Sequence, residues 1–242
     1  MTTPTSHALR GQALRDVLAS FMRGCGLTGR RAAALGADVE LSVGGTNDKA
    51  ELTDLLLSMV ERSGELERPI GYLSVPLTTG RAYLDWHVRR RETPNSSDVG
   101  AQVARRRVIS ANKQRAANVV GRLRDALPGT LIDPAQLLDV PGWEQPDYHA
   151  LWVSVIEKYA NTVIFIDEWQ YSVGCTIEFA AAVRSDVSML TERLTPLDVT
   201  VGVALIRSAL AKYEAANLDS APLSRSLRIA ERATVQAAPR RN

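Results

Sequence analysis

Short apolar runs alternate with helical spacings from about residue 70 to residue 216, and that alternation predicts an α/β fold. Two observations carry the prediction. Val163, Ile164, Phe165 and Ile166 form a run of β-branched and aromatic residues closed by Asp167, the pattern of a strand buried on both faces of a parallel sheet. A polar turn follows, and Thr176, Ile177, Phe179, Ala180 and Val183 resume at helical spacing, so the unit reads as strand, turn, helix. Similar units on either side place helices on both faces of the sheet, with an N-terminal helical segment in front.

Residues 1–6 carry no pattern. Leu14, Val17, Leu18 and Phe21 make the stripe of a first helix, broken by Gly24 and Gly26. A second helix is expected over Ala32–Val39. A third follows over Leu52, Leu55, Leu56, Met59 and Val60. Three short helices fit either a helix-turn-helix module or a packing or dimerisation element, and the second is favoured. Residues 63–69 read as a linker. Ile70–Val75 is the first strand and runs into Pro76–Arg81, a turn of small and hydroxyl residues that lacks the GK[ST] ending of a Walker loop. Tyr83–Arg91 is helical and Glu92–Asp98 is a loop. Val99–Leu127 is a long helix with Val103, Val108, Ile109, Ala116, Val119, Val120 and Leu123 on its apolar side, stopped by Pro128-Gly129. Thr130–Ile132 is a second strand. Leu138–Pro146 is a loop, Asp147–Tyr159 a helix, Val187–Leu190 a last strand and Val199–Ala216 a helix. Three parts result: residues 1–66 helical, 67–216 the α/β domain, and 217–242 a mostly flexible tail with room for one short helix.

The chain has 242 residues, 45% apolar and 23% charged, enough for a packed core. A net charge of +2 gives no reason to expect nucleic acid, and the runs Arg89–Arg91 and Arg105–Arg107 read as solvated helix faces. Cys25 and Cys175 stand far apart with no Cys/His cluster, so neither a zinc site nor a disulfide framework is implied. No cofactor is implied either. Without a signal peptide or a membrane-length apolar run, a cytoplasmic protein is expected.

Asp167, Ser172, Gly174 and Glu178 crowd the junction between the central strand and its helix. Ligands of open α/β sheets bind beyond the carboxyl ends of the strands, and a helix start offers N–H groups and a partial positive charge to an anion. Asp167 also fits a strand-end cap, Ser172 an N-cap and Glu178 a solvated first-turn acid. Cys175 is a nucleophile only if a base attends it; a small buried thiol is the simpler reading.

Tyr72–Arg81 (YLSVPLTTGR), Asp147–Asp167 and Trp169–Val183, in that order, resemble the nucleoside 2-deoxyribosyltransferase and nucleotide N-glycosidase superfamily, over roughly residues 70–213. The resemblance implies a flavodoxin- or Rossmann-like sheet. It implies an enzyme that cleaves a base–sugar bond, by hydrolysis or transfer, with Glu178 as nucleophile and Asp147 as the acid serving the base. Tyr72, Ser74, Gly80 and Arg81 would face the substrate, as would Asp167, Ser172 and Gly174. Ser172, where nucleoside-processing members tend to carry Asp, points to a 5′-phosphate, aided by Thr78, Thr79 and Arg81. The alternative is a non-catalytic nucleotide-sensing or partner-binding module of the same fold. A homodimer or higher oligomer is expected, using the apolar faces of Val99–Leu127 and Leu52–Val60. The stretch from Arg81 to Val103 is longer than in compact members, which leaves the base pocket open.

Overall fold

The computed structural model describes residues 6–27, 49–66, 68–92 and 98–237. The helix expected over Ala32–Val39 lies outside them, as do residues 1–5, 93–97 and 238–242. The elements run α1 (Ser6–Gly24), α2 (Lys49–Leu66), β1 (Ile70–Ser74), α3 (Arg81–Glu92), α4 (Asp98–Ala126), β2 (Thr130–Ile132), α5 (Gln145–Lys158), β3 (Thr162–Phe165), α6 (Val173–Arg184), β4 (Ser188–Thr191), α7 (Val199–Ala215) and α8 (Ala221–Ala237). Single 3-10 turns follow β2 and β3.

All four strands are parallel, in the order β2-β1-β3-β4. The chain steps from β1 outward to β2, then crosses back over β1 to β3. Because crossovers are right-handed, this reversal sends α4 to one face and α5 and α6 to the other. The order switches between β1 and β3, the position at which open α/β sheets bind ligands. The fold is thus an α/β sandwich of the flavodoxin- or Rossmann-like kind, as the sequence predicts.

Side chains in β1 alternate between the faces. Leu73 joins Leu131, Ile164 and α4, whose Ala116, Val119, Val120 and Leu123 are buried against them. Ile70 and Tyr72 point the other way, into a larger core with Val163, Phe165, Leu151, Val155 and Ile156. Removing each of these aliphatic side chains from water contributes about 1.5–3 kcal/mol.

The N-terminal helices are part of that larger core. Val17 and Phe21 of α1 and Leu56, Met59 and Val60 of α2 are buried in it, and Phe21 stacks on Trp152 with ring centroids 5.9 Å apart. The apolar face of α2 is therefore consumed within the chain and is not left over for a second copy. The linker is shorter than expected, because α2 runs to Leu66. The stretch expected as a mostly flexible tail with room for one short helix carries α8, 17 residues long, where Leu223, Leu227 and Ala230 fall at helical spacing and pack on α6 and α7. No helix among the described residues is long and apolar enough to cross a membrane.

Candidate functional site

Tyr72 and Ser74 sit two apart near the carboxyl end of β1, so both face α6. Opposite them, one turn into α6, is Glu178. Tyr72 Oη donates to its Oε1 at 2.7 Å and Ser74 Oγ to its Oε2 at 2.6 Å. Each carboxylate oxygen thus holds one hydroxyl. Glu178 is 8% exposed, so the reading as a solvated first-turn acid is excluded. Burial pushes its pKa up from 4.5 to about 7, and the hydrogen bonds from Ser74 and Tyr72 limit the rise. Burial, then the neighbouring Glu178 charge, raises the Tyr72 phenol well above its ordinary value, so it remains a donor.

The loop after β1 reaches the start of α6. Gly80 has φ +115°, and a Cβ there would lie 2.9 Å from Pro76 Cβ, so only glycine fits. Asn112 of α4 braces the loop by donating to the carbonyls of Leu77 and Thr79 at 3.0 and 3.4 Å. Thr79 Oγ1 donates to Ser172 Oγ at 3.2 Å and accepts the Val173 N–H at 3.2 Å. Ser172 Oγ accepts the Cys175 N–H, so Ser172 is the N-cap of α6. Two of the helix-start N–H groups expected to be free are therefore already held by hydroxyls.

Next to this N-cap lies a phenol attended by two cations. Tyr171 is buried, and its Oη accepts from Lys212 Nζ at 2.6 Å and Arg81 Nη1 at 3.4 Å. Both cations also lie within cation–π reach of its ring, at 5.1 and 5.3 Å from the centroid. Arg81 is shared with Asp85 at 2.8 Å. Lys212 comes from α7, 41 residues beyond Tyr171, and nothing in the sequence pairs the two.

Asp147 belongs to a different corner. It is the third residue of α5, and its Oδ2 accepts the Glu144 N–H at 2.7 Å and Lys49 Nζ at 2.7 Å. The Glu144 hydrogen bond, then Lys49, holds its pKa below the usual carboxylate value. It is an ionised capping group, which is not the protonation state of an acid. Asp167 is exposed; its backbone N–H donates to Glu192 at 3.1 Å. Cys175 is buried and its thiol is pushed far above its ordinary value, chiefly by burial and then by Glu178, so it is no thiolate nucleophile.

His149 takes the position at α5 that faces the site. A Cβ placed on Gly174 would meet His149 Nε2 at 3.7 Å. On a helix at about 100° per residue, positions 147 and 149 stand about 200° apart. The buried arc of α5 lies between them, with Asp147 at the α2 rim and His149 at the α6 rim. One signal for it exists in the sequence: His149 continues the stripe of Trp152 and Ile156 backward at spacings of three and seven.

Comparison of the chain with protein families, with curated proteins and with solved structures finds no match.

Proposed function

We propose that the protein is an N-glycosidase or N-(deoxy)ribosyltransferase that cleaves the base–sugar bond of a nucleotide or related N-glycoside. The observation that carries this is the buried Glu178 carboxyl, gripped by Tyr72 and Ser74 at the carboxyl end of β1, where the strand order switches. A structural core has little use for a lone carboxyl whose burial raises its pKa to about 7, and such groups concentrate at reacting sites. Breaking an N-glycosidic bond develops positive charge at the anomeric carbon. An ionised Glu178 stabilises that charge and captures the carbon as an ester. Tyr72 and Ser74 fix the carboxylate, so little reorganisation is needed as the charge forms.

A 5′-phosphate on the substrate is supported by the neighbouring groups. Ser172 Oγ already accepts from Thr79 and Cys175, so its own proton is left for an acceptor. Arg81 and Lys212, gathered at the adjacent Tyr171, supply positive charge. A neutral Ser172, unlike a carboxylate, does not repel the anion.

One observation favours a non-catalytic nucleotide-sensing or partner-binding module of the same fold. Asp147, the second carboxylate of the mechanism the resemblance implies, is engaged with Lys49 and Glu144. Free base measured by chromatography after incubation with nucleosides, mononucleotides and NAD separates the two. Release of base supports the enzyme, and binding without release supports the sensor.

Assembly into a homodimer or higher oligomer is also proposed, now on α4 alone. The first half of that helix leaves Val103 exposed at 43%, while its second half is buried on the sheet.

A further inference from the structure

We propose that His149 is the general base that activates water against the glycosyl ester on Glu178, which makes the protein a hydrolase rather than a transferase. The assignment rests on the N-glycosidase reading above and adds to it the group that handles the second half of the reaction.

The geometry comes from α6. Gly174 and Glu178 are four residues apart and share one face of the helix, about 6 Å apart along its axis. The imidazole of His149 lies against Gly174, with Nε2 at 3.7 Å and Cδ2 at 4.0 Å from where an added Cβ would stand. It therefore approaches the Glu178 face one turn nearer the N-terminus of α6.

The chemistry of the imidazole matches. His149 is half-buried and takes no hydrogen bond from the described residues, so its nitrogens are available to water. Burial lowers its pKa from the ordinary imidazole value, which favours the neutral form. A neutral imidazole accepts a proton, whereas Asp147 is held in its ion pair with Lys49 on the far rim of α5.

A water O–H transfers its proton to His149, and the water oxygen forms a bond to the anomeric carbon. The bond from that carbon to the Glu178 oxygen breaks, its electron pair returning to the carboxylate. The proton on the imidazole then passes to solvent.

The test uses the full chain with His149→Asn and His149→Gln, and a nucleoside 5′-monophosphate that the wild type cleaves. Base release is followed through the first turnover and at steady state, with and without added azide. A burst of about one base per chain is expected in both variants. Steady-state turnover should then fall by about 10²–10⁴, the usual loss on removing a general base. Azide, a nucleophile that needs no deprotonation, should restore turnover and yield the glycosyl azide. Steady-state turnover equal to wild type overturns the assignment. Loss of the burst as well, or a burst without azide rescue, also overturns it, because His149 then acts before the ester or merely shapes the site. A wild type that releases no base from any N-glycoside overturns the glycosidase reading itself, and this assignment with it.

Discussion

Glu178 and Asp147 are both acids near helix starts, and the molecule treats them in opposite ways. Glu178 is buried beneath the sheet's carboxyl edge, holds only neutral hydroxyls, and has its pKa pushed up to about 7. Asp147 lies at the rim of α5, accepts a backbone N–H and a lysine, and has its pKa lowered. Desolvation dominates the first and hydrogen bonding the second. On the proposed mechanism the first arrangement serves reactivity, since a carboxylate with weak solvation gains most from a developing cation. The second stabilises a helix end. Residue type and position in a motif do not separate them; the partners do.

The largest effect expected on substrate choice lies at Ser172. Asp is as good an N-cap as Ser, so Ser172→Asp leaves α6 intact. It sets a carboxylate against a bound phosphate, at a cost of about 4 kcal/mol for charges 4 Å apart at intermediate dielectric. The ratio of kcat/KM for a nucleoside 5′-monophosphate over its nucleoside should therefore fall by about 10²–10³ in the variant. A ratio unchanged by the substitution leaves Ser172 a cap and nothing more.

Stability sharpens the contrast next. The folded Glu178 pKa, about 7, lies above its unfolded value of 4.5, so the native state holds the proton more tightly. Its stabilising contribution is complete below pH 4.5 and is lost as pH rises through 7. At pH 8 the wild type carries the full cost of a buried charge, which Glu178→Gln escapes. Denaturant unfolding should find Glu178→Gln gaining about 3 kcal/mol relative to wild type between pH 4.5 and pH 8. A pH-independent difference would mean that water reaches the carboxyl freely. By the same ionisation, kcat/KM should rise with pH through about 7.

The smallest effect belongs to Asp147. Asp147→Asn should lower the melting temperature slightly and cut turnover by less than about tenfold, where loss of a general acid costs roughly 10²–10⁴. A larger fall in turnover would return Asp147 to the chemistry and erase the contrast.

Much of this was readable in the sequence, for identifiable reasons. The strands at Ile70 and Val163 are short, apolar and closed by turn residues, and the alternation in β1 puts Tyr72 and Ser74 on one face. Glu178 follows Ser172 and Gly174 at a spacing that a strand–turn–helix junction makes meaningful. The length of α8 was hidden because Arg, Ser and Ala crowd a stripe of only Leu223, Leu227 and Ala230. Asp147 was misleading because its partner, Lys49, lies 98 residues away on α2, and Lys212 reaches Tyr171 across another 41. Such pairs exist only once the helices dock. His149 carried a weaker signal, the backward extension of a buried stripe.

The central claim is that Glu178 becomes covalently bonded to the sugar. Acid-quenching the protein during turnover of a nucleoside 5′-monophosphate, followed by intact-mass measurement and peptide mapping, tests it directly. One sugar phosphate added per chain, located on Glu178 and absent from Glu178→Gln, is the predicted result. Steady base release from a chain whose Glu178 stays unmodified at every quench time, with Glu178→Gln releasing base at the same rate, would contradict it.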